Sequence, residues 1–205
     1  MHNFIKYSLY PIADTIHYKI PVYLHFNANE VKDLIFQPFK TPLSEYLNKQ
    51  PNIIRIIFEN IIFATNNMRG FFSNLKHIKE IIIINCDASF VQNMSYLFFD
   101  CPNLTKVYMS NLDVSNVTDM SHLFHKCPKL TVLNISFWKT SKLTITSFMF
   151  YGCESLYDLD LSRLDFSNVT NIGYMFYNCS GMHYLKLPSI DHIPNAKELF
   201  TGCSF

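Results

Sequence analysis

The chain has 205 residues, with 17 basic and 16 acidic side chains and a formal net charge of +1, so it offers no net basic footprint for nucleic acid and no Lys/Arg cluster for anionic lipid. Hydrophobic residues make up 49% and charged residues only 16%, which excludes the highly charged composition of a disordered chain. Nineteen Phe against five Gly suit a core filled by inward aromatic columns.

The first 41 residues carry no repeat. The opening "MHNFIKYSLYPIADTIHYKI" lacks the basic start, the uninterrupted apolar run and the small-residue cleavage site of a signal peptide. "YKIPVYLHF" reads as a strand interrupted by Pro21, and "NANEVKDLIF" as a short helix opening on an Asn. Residues 1–41 are therefore expected to form an N-terminal cap that covers the apolar edge of the first repeat. No run approaches the roughly 18–20 apolar residues of a membrane span, and no lipidation motif is present, so membrane insertion is not expected.

From residue 42 onward the chain is periodic. Cys101, Cys127, Cys153, Cys179 and Cys203 are separated by 26, 26, 26 and 24 residues. Three residues before each stands a phenylalanine: Phe98, Phe124, Phe150, Phe176 and Phe200. Leu75 and Gln50 take the cysteine's place in two earlier units, the first preceded by Phe72, which gives about six to seven repeats. Positions six and eight after each reference residue are apolar, as in Val107 and Met109 or Leu159 and Leu161, with more polar residues between. That period of two predicts one short half-buried strand per unit, always in the same sense, and hence a parallel sheet along a stack. The run "MSYLFFDC" places Met94, Leu97, Phe98 and Cys101 at the spacing of one helical turn. Segments such as "DVSNVTD" carry turn residues. The expected fold is an α/β repeat solenoid, with 42–205 as one continuous domain.

The units "LDVSNVTDMSHLFHKCPKLTVLNIS" and "LDFSNVTNIGYMFYNCSGMHYLKLP" resemble the BspA-like leucine-rich repeats, which run a Phe-x-x-Cys-x-x-Leu-x-x-Leu-x-Leu core with a Ser-Asn-Val-Thr-x-Met turn. The final unit, "LKLPSIDHIPNAKELFTGC", resembles the shorter Pro-containing variant of that group. The resemblance implies a right-handed leucine-rich solenoid and a protein-binding role, often at microbial cell surfaces and towards host proteins. It carries over no catalytic residue and no cofactor.

The candidate binding surface is the outer face of the sheet, at the fifth and seventh positions of each unit, where residues vary while the core columns hold. It presents Arg55, Lys106, Tyr108, Asn134, Asp158, Asp160, Tyr184 and Lys186. The Phe and Cys columns are expected to carry stability alone, with the cysteines as buried free thiols rather than a disulfide framework. Cys127 points inward by its column, and the spacing of His122, His125 and Cys127 matches no standard zinc site, so no metal is expected. Asp158 and Asp160 alternate along a strand face with no accompanying His or oxyanion donors, and they read as solvated charge rather than an acid–base pair. The sequons at Asn93, Asn103, Asn116, Asn134, Asn168 and Asn178 recur because the repeat contains them, and the turns at 115–118 and 167–170 read as hydrogen-bond ladders between rungs. The expected partner is a protein of unassigned identity, and the end of the solenoid offers a second route, self-association into a homodimer. Two settings stay open: a surface or host-interaction protein, which the resemblance favours, and an intracellular scaffold or effector, which the free thiols and the opening segment favour.

Overall fold

The computed structural model describes residues 22–27, 43–63, 65–109, 111–194, 196 and 198–204. In chain order these form β1 (Val22–Asn27), α1 (Leu43–Asn48), β2 (Ile53–Glu59), β3 (Glu80–Ile84), β4 (Lys106–Tyr108), β5 (Val132–Asn134), β6 (Asp158–Asp160) and β7 (Tyr184–Lys186). Every strand pair is parallel, in the order β1-β2-β3-β4-β5 and, separately, β6-β7. The described residues form a parallel β-solenoid with very little helix.

Register follows the period of the sequence. Ile56, Ile81, Val107 and Leu133 are successive neighbours in one row, and Arg55, Glu80, Lys106 and Val132 in the next. The first row faces the core and the second faces out, because adjacent strand residues point to opposite sides. Sheet pairing stops between β5 and β6, but a second row of parallel bridges, Asn67–Asn93–Asp119–Ile145–Asn171, runs through that break and keeps the rungs in step.

The segment expected as a helical turn is built differently. Backbone N–H groups of Met94, Tyr96, Phe98 and Asp100 donate to the carbonyls of Asp119, Ser121, Leu123 and His125 in the next rung, at 2.8–2.9 Å. Half of its backbone hydrogen bonding thus runs between rungs, where a helix would keep it within the segment. Short local bonds, such as Leu97 N–H to the Met94 carbonyl, close reverse turns. Tyr96, His122, Phe148 and Tyr174 have φ of 56–59°, and Asp100, Lys126, Gly152 and Asn178 have φ of 53–71°. A left-handed residue at the third place of a four-residue turn is the type II pattern, and it resets the chain before a helix can extend. Met94, Leu97, Phe98 and Cys101 still point inward, which is why the spacing alone resembled a helical face. In the first unit the corresponding place is held by α1, and Leu47 occupies the Phe position, buried.

The core is one column-built body. Phe72, Phe98, Phe124, Phe150 and Phe176 are fully buried and stack along the axis, with centroids 5.1–5.7 Å apart and planes within 8°. Phe200 departs from the core assignment. It stacks on Phe176 at 5.9 Å but is 38% exposed, because among the described residues its rung has a neighbour on one side only. Cys203 is half-buried for the same reason.

All six cysteines are free thiols. Those of the column donate to the carbonyl of the preceding unit's phenylalanine: Cys101 to Phe72, Cys127 to Phe98, Cys153 to Phe124, Cys179 to Phe150 and Cys203 to Phe176, at 3.0–3.2 Å. A small apolar side chain with one weak donor fits a place that must fill the core and also satisfy a carbonyl. Burial pushes the Cys179 thiol up to about 12 and holds Cys127 and Cys153 well above the usual thiol range, so the donating protons stay on.

Side-chain ladders complete the stack. Asn116 and Asn168 donate to the carbonyls of Ser89 and Ser141 at 2.7 Å, and Thr144 donates to the Thr118 carbonyl at 2.9 Å. The Asn/Ser/Thr turns thus bond between rungs, as their recurrence implied. At the other end β1 pairs with β2 and covers its edge; of the helix expected over 27–36, Asn27 is instead the last residue of β1, and 28–36 lie outside the described residues, as does the rest of the N-terminal segment. Among the described residues no helix is long and apolar enough to cross a membrane.

Candidate functional site

Because the odd positions of each short strand must face away from the core, the sheet's outer face collects side chains that packing does not dictate. Lys106, Tyr108, Asn134, Asp158, Asp160, Tyr184 and Lys186 are all exposed there. Lys106 and Tyr108 lie beside Val132 and Asn134 in register, and Asp158 and Asp160 lie beside Tyr184 and Lys186. The face therefore brings the predicted residues into two clusters, one on β4–β5 and one on β6–β7, with the interruption in strand pairing between them.

Arg55 sits differently from the others. It is half-buried and its Nε pairs with the Glu80 carboxylate on the neighbouring strand. With Ile57 and Ile82 also half-buried beside it, the β2–β3 end is a closed, self-satisfied part of the face. On β7, Lys186 Nζ lies 5.5 Å from the Tyr184 ring centroid, and the Tyr184 hydroxyl together with Asp160 raises its pKa. Asp160 is held below the usual carboxylate range by the Ser162 hydroxyl and N–H, which donate to it at 2.6 and 2.9 Å. A carboxylate committed to capping its own turn is a poor partner for proton transfer with Asp158.

The histidines meet each other rather than the cysteine. His122 Nδ1 and His125 Nδ1 are 2.7 Å apart, while the Cys127 thiol points the other way, to the Phe98 carbonyl. Both rings belong to a feature that the inward-looking columns did not show. Tyr96, His122, Phe148 and Tyr174 stack in one outer row at 4.3–5.0 Å, and His125, Tyr151 and Tyr177 stack beside them at 4.5–4.9 Å, with Phe99 edge-on to His125 at 5.2 Å. All are half-buried on the turn side, and Arg69 lies over Tyr96 at 4.1 Å. The signal was present as aromatic residues recurring five and two positions before the reference residue. Burial is the main cause that lowers both histidine pKa values, to about 4 for His125, so the pair is neutral at pH 7.

Residues 66–186 match the family described as "Mycoplasma protein of unknown function, DUF285". No curated protein and no solved structure matches the chain. The matched segment takes in β3 to β7, the aromatic rows and most of the Phe and Cys columns. With more than half of its length matched, the chain belongs to the DUF285 family.

Proposed function

We propose that this chain is a non-catalytic protein-interaction module that binds its partner through the outer face of its parallel sheet. The observation that carries the reading is the contrast between two sides of the same strands. Inward positions repeat the same apolar types from rung to rung, whereas outward positions pass from Lys106 and Tyr108, through Asn134, to Asp158, Asp160, Tyr184 and Lys186, all exposed. A repeated scaffold with a varied, chemically mixed face is how solenoids present recognition surfaces, and exposed Tyr and neighbouring charges supply interface energy and orientation. The BspA-like motif resemblance supports the leucine-rich version of this solenoid and, with it, a surface or host-interaction role.

The test is comparative capture from source and host lysates with the wild-type chain and with Lys106→Glu/Tyr108→Ala, after both show the same melting transition. A partner kept by the wild type and lost by the variant supports the reading; equal capture by both refutes it. A second reading, an intracellular scaffold or effector, is favoured by six free thiols. Protease treatment of intact source cells separates the two, because only a surface-displayed chain is degraded. Self-association through the last described rung, where Phe200 is 38% exposed, is read from the molar mass in solution at increasing concentration.

A further inference from the structure

One rung abandons the repeat at consecutive outward positions without disturbing the fold. Where its neighbours read Ser-Asn-Leu-Asp-Val-Ser-Asn (110–116) and Ser-Arg-Leu-Asp-Phe-Ser-Asn (162–168), it reads Ser136-Phe137-Trp138-Lys139-Thr140-Ser141-Lys142. The core still closes: Trp138 is buried and its Nε1 donates to the Met109 carbonyl at 3.0 Å. Thr140 is buried as well, and its hydroxyl donates to the Asp165 carbonyl at 3.0 Å and accepts from the Asp165 N–H at 2.8 Å. The outward members have no such role. Phe137 is 61% exposed, at a position that Asn111 and Arg163 hold one rung away. Lys139 is exposed in a column that opens on Ile62 and then reads Asp87, Asp113, Asp165 and Asp191 in the other rungs. In that column Asp87, Asp113 and Asp165 cap their own turns by accepting the N–H of Ser89, Ser115 and Ser167, a task lysine cannot perform.

These departures converge on one open cleft of the described surface. It measures about 440 Å³, follows β5 and β6 where strand pairing is interrupted, and is lined by Phe137, Lys139, Ser136, Ser141, Arg163 and Asp165 among others. The Arg163 guanidinium lies 5.3 Å from the Phe137 centroid, so a planar cation and an apolar ring border the same space. We infer that this cleft is a docking site for a polypeptide segment that carries an acidic side chain next to an apolar one. The carboxylate meets Lys139 and Arg163, and the apolar side chain packs on Phe137. The charge pattern selects an isolated carboxylate over a polyanion, because Asp113 and Asp165 stand one rung to either side of Lys139 and Asp191 beyond, repelling further negative charge along the axis. The site lies past the ends of the strands, so it goes beyond the sheet-face reading.

The repeat itself supplies a gentle test. Phe137→Asn with Lys139→Asp restores the residues of the preceding rung. A phage-displayed random dodecapeptide library is selected on the full chain, and the enriched peptides are synthesised and titrated by fluorescence anisotropy. The expected result is peptides with Asp or Glu beside Phe, Leu or Ile, weakened about tenfold or more by F137N/K139D and not by Lys106→Glu/Tyr108→Ala. If the double variant loses its melting transition, Arg163→Ser, the residue at the corresponding Ser189, takes its place with the same expectation. Any of four results overturns the docking site: no enrichment, enriched peptides without an acid, unchanged affinity in the reverted variants, or tighter binding of a twelve-nucleotide oligothymidylate at the same site. Loss in the sheet-face variant alone would also overturn it and leave the sheet-face reading standing.

Discussion

Replacing Phe124 by alanine removes a ring from the middle of the core column. The side chain is fully buried between Phe98 at 5.1 Å and Phe150 at 5.7 Å, with planes within 8° on both sides. Its own backbone is fixed by the N–H bond to the Met149 carbonyl and by the Cys153 thiol, so the chain cannot collapse far into the space left behind. Buried Phe→Ala changes cost about 3–5 kcal/mol through lost transfer energy and the residual cavity. Loss of two stacked faces and poor relaxation place Phe124→Ala near the top, at about 4–5 kcal/mol. Phe200→Ala gives up one stacked face and a ring already 38% exposed, so it should cost about 1–2 kcal/mol. Urea unfolding followed by circular dichroism measures both against the wild type, with the slope checked for a common transition. Equal losses in the two variants, or an unchanged midpoint for Phe124→Ala, would refute the column as the source of stability.

The thiol ladder predicts the order of alkylation: under native conditions the half-buried Cys203 reacts with a maleimide first, while Cys127 and Cys153 stay unreacted until urea unfolds the chain, as mass spectrometry of digests will show. The histidine pair predicts acid sensitivity of a definite sign. His125 titrates near 4 when folded against 6.5 when exposed, and His122 is lowered too, so below about pH 6.5 the unfolded chain takes up protons that the folded one refuses. Their stabilisation is therefore complete above the unfolded pKa and is lost as pH falls towards 4, by about 1–2 kcal/mol after discounting for half-exposed rings. His122→Phe/His125→Tyr, which copies residues already present in those rows at Phe148 and Tyr151, should flatten the acid limb of the stability–pH curve; an unchanged limb refutes the assignment.

Much of the fold could be read from spacing, because a stack repeats whatever its core requires. The period located β2 to β7, and the alternation around Val107 and Leu159 gave their buried sides. The turn before each cysteine misled for a physical reason. Met94, Leu97, Phe98 and Cys101 point inward whether the backbone is helical or a chain of type II turns, and the inter-rung hydrogen bonds and the left-handed φ of Tyr96 and Asp100 distinguish the two. Tyr96, His122, Phe148 and Tyr174 do not announce the first of those angles, whereas the second place, with Asn74, Asp100, Gly152 and Asn178, carries residue types that tolerate it. Composition likewise suggested that the cysteines were apolar filler, and the carbonyl each thiol serves becomes visible only when the preceding rung lies beneath it. Of the candidate surface, exposure was legible from strand alternation, but the pairing of Arg55 with Glu80 was not, because it depends on which strands are neighbours. The cleft at Phe137 was legible as a departure from the repeat, a signal that a search for shared columns passes over.

Hydroxyl-radical footprinting of the chain with its captured protein partner tests the sheet-face reading most directly, because tyrosines mark both sides of the solenoid. Tyr108 and Tyr184 report the sheet face, and Tyr151 and Tyr177 report the turn side. Tyr108 and Tyr184 are expected to lose reactivity in the complex while Tyr151 and Tyr177 keep theirs. Protection of Tyr151 and Tyr177 with Tyr108 and Tyr184 unchanged would contradict it and move the interface to the aromatic rows.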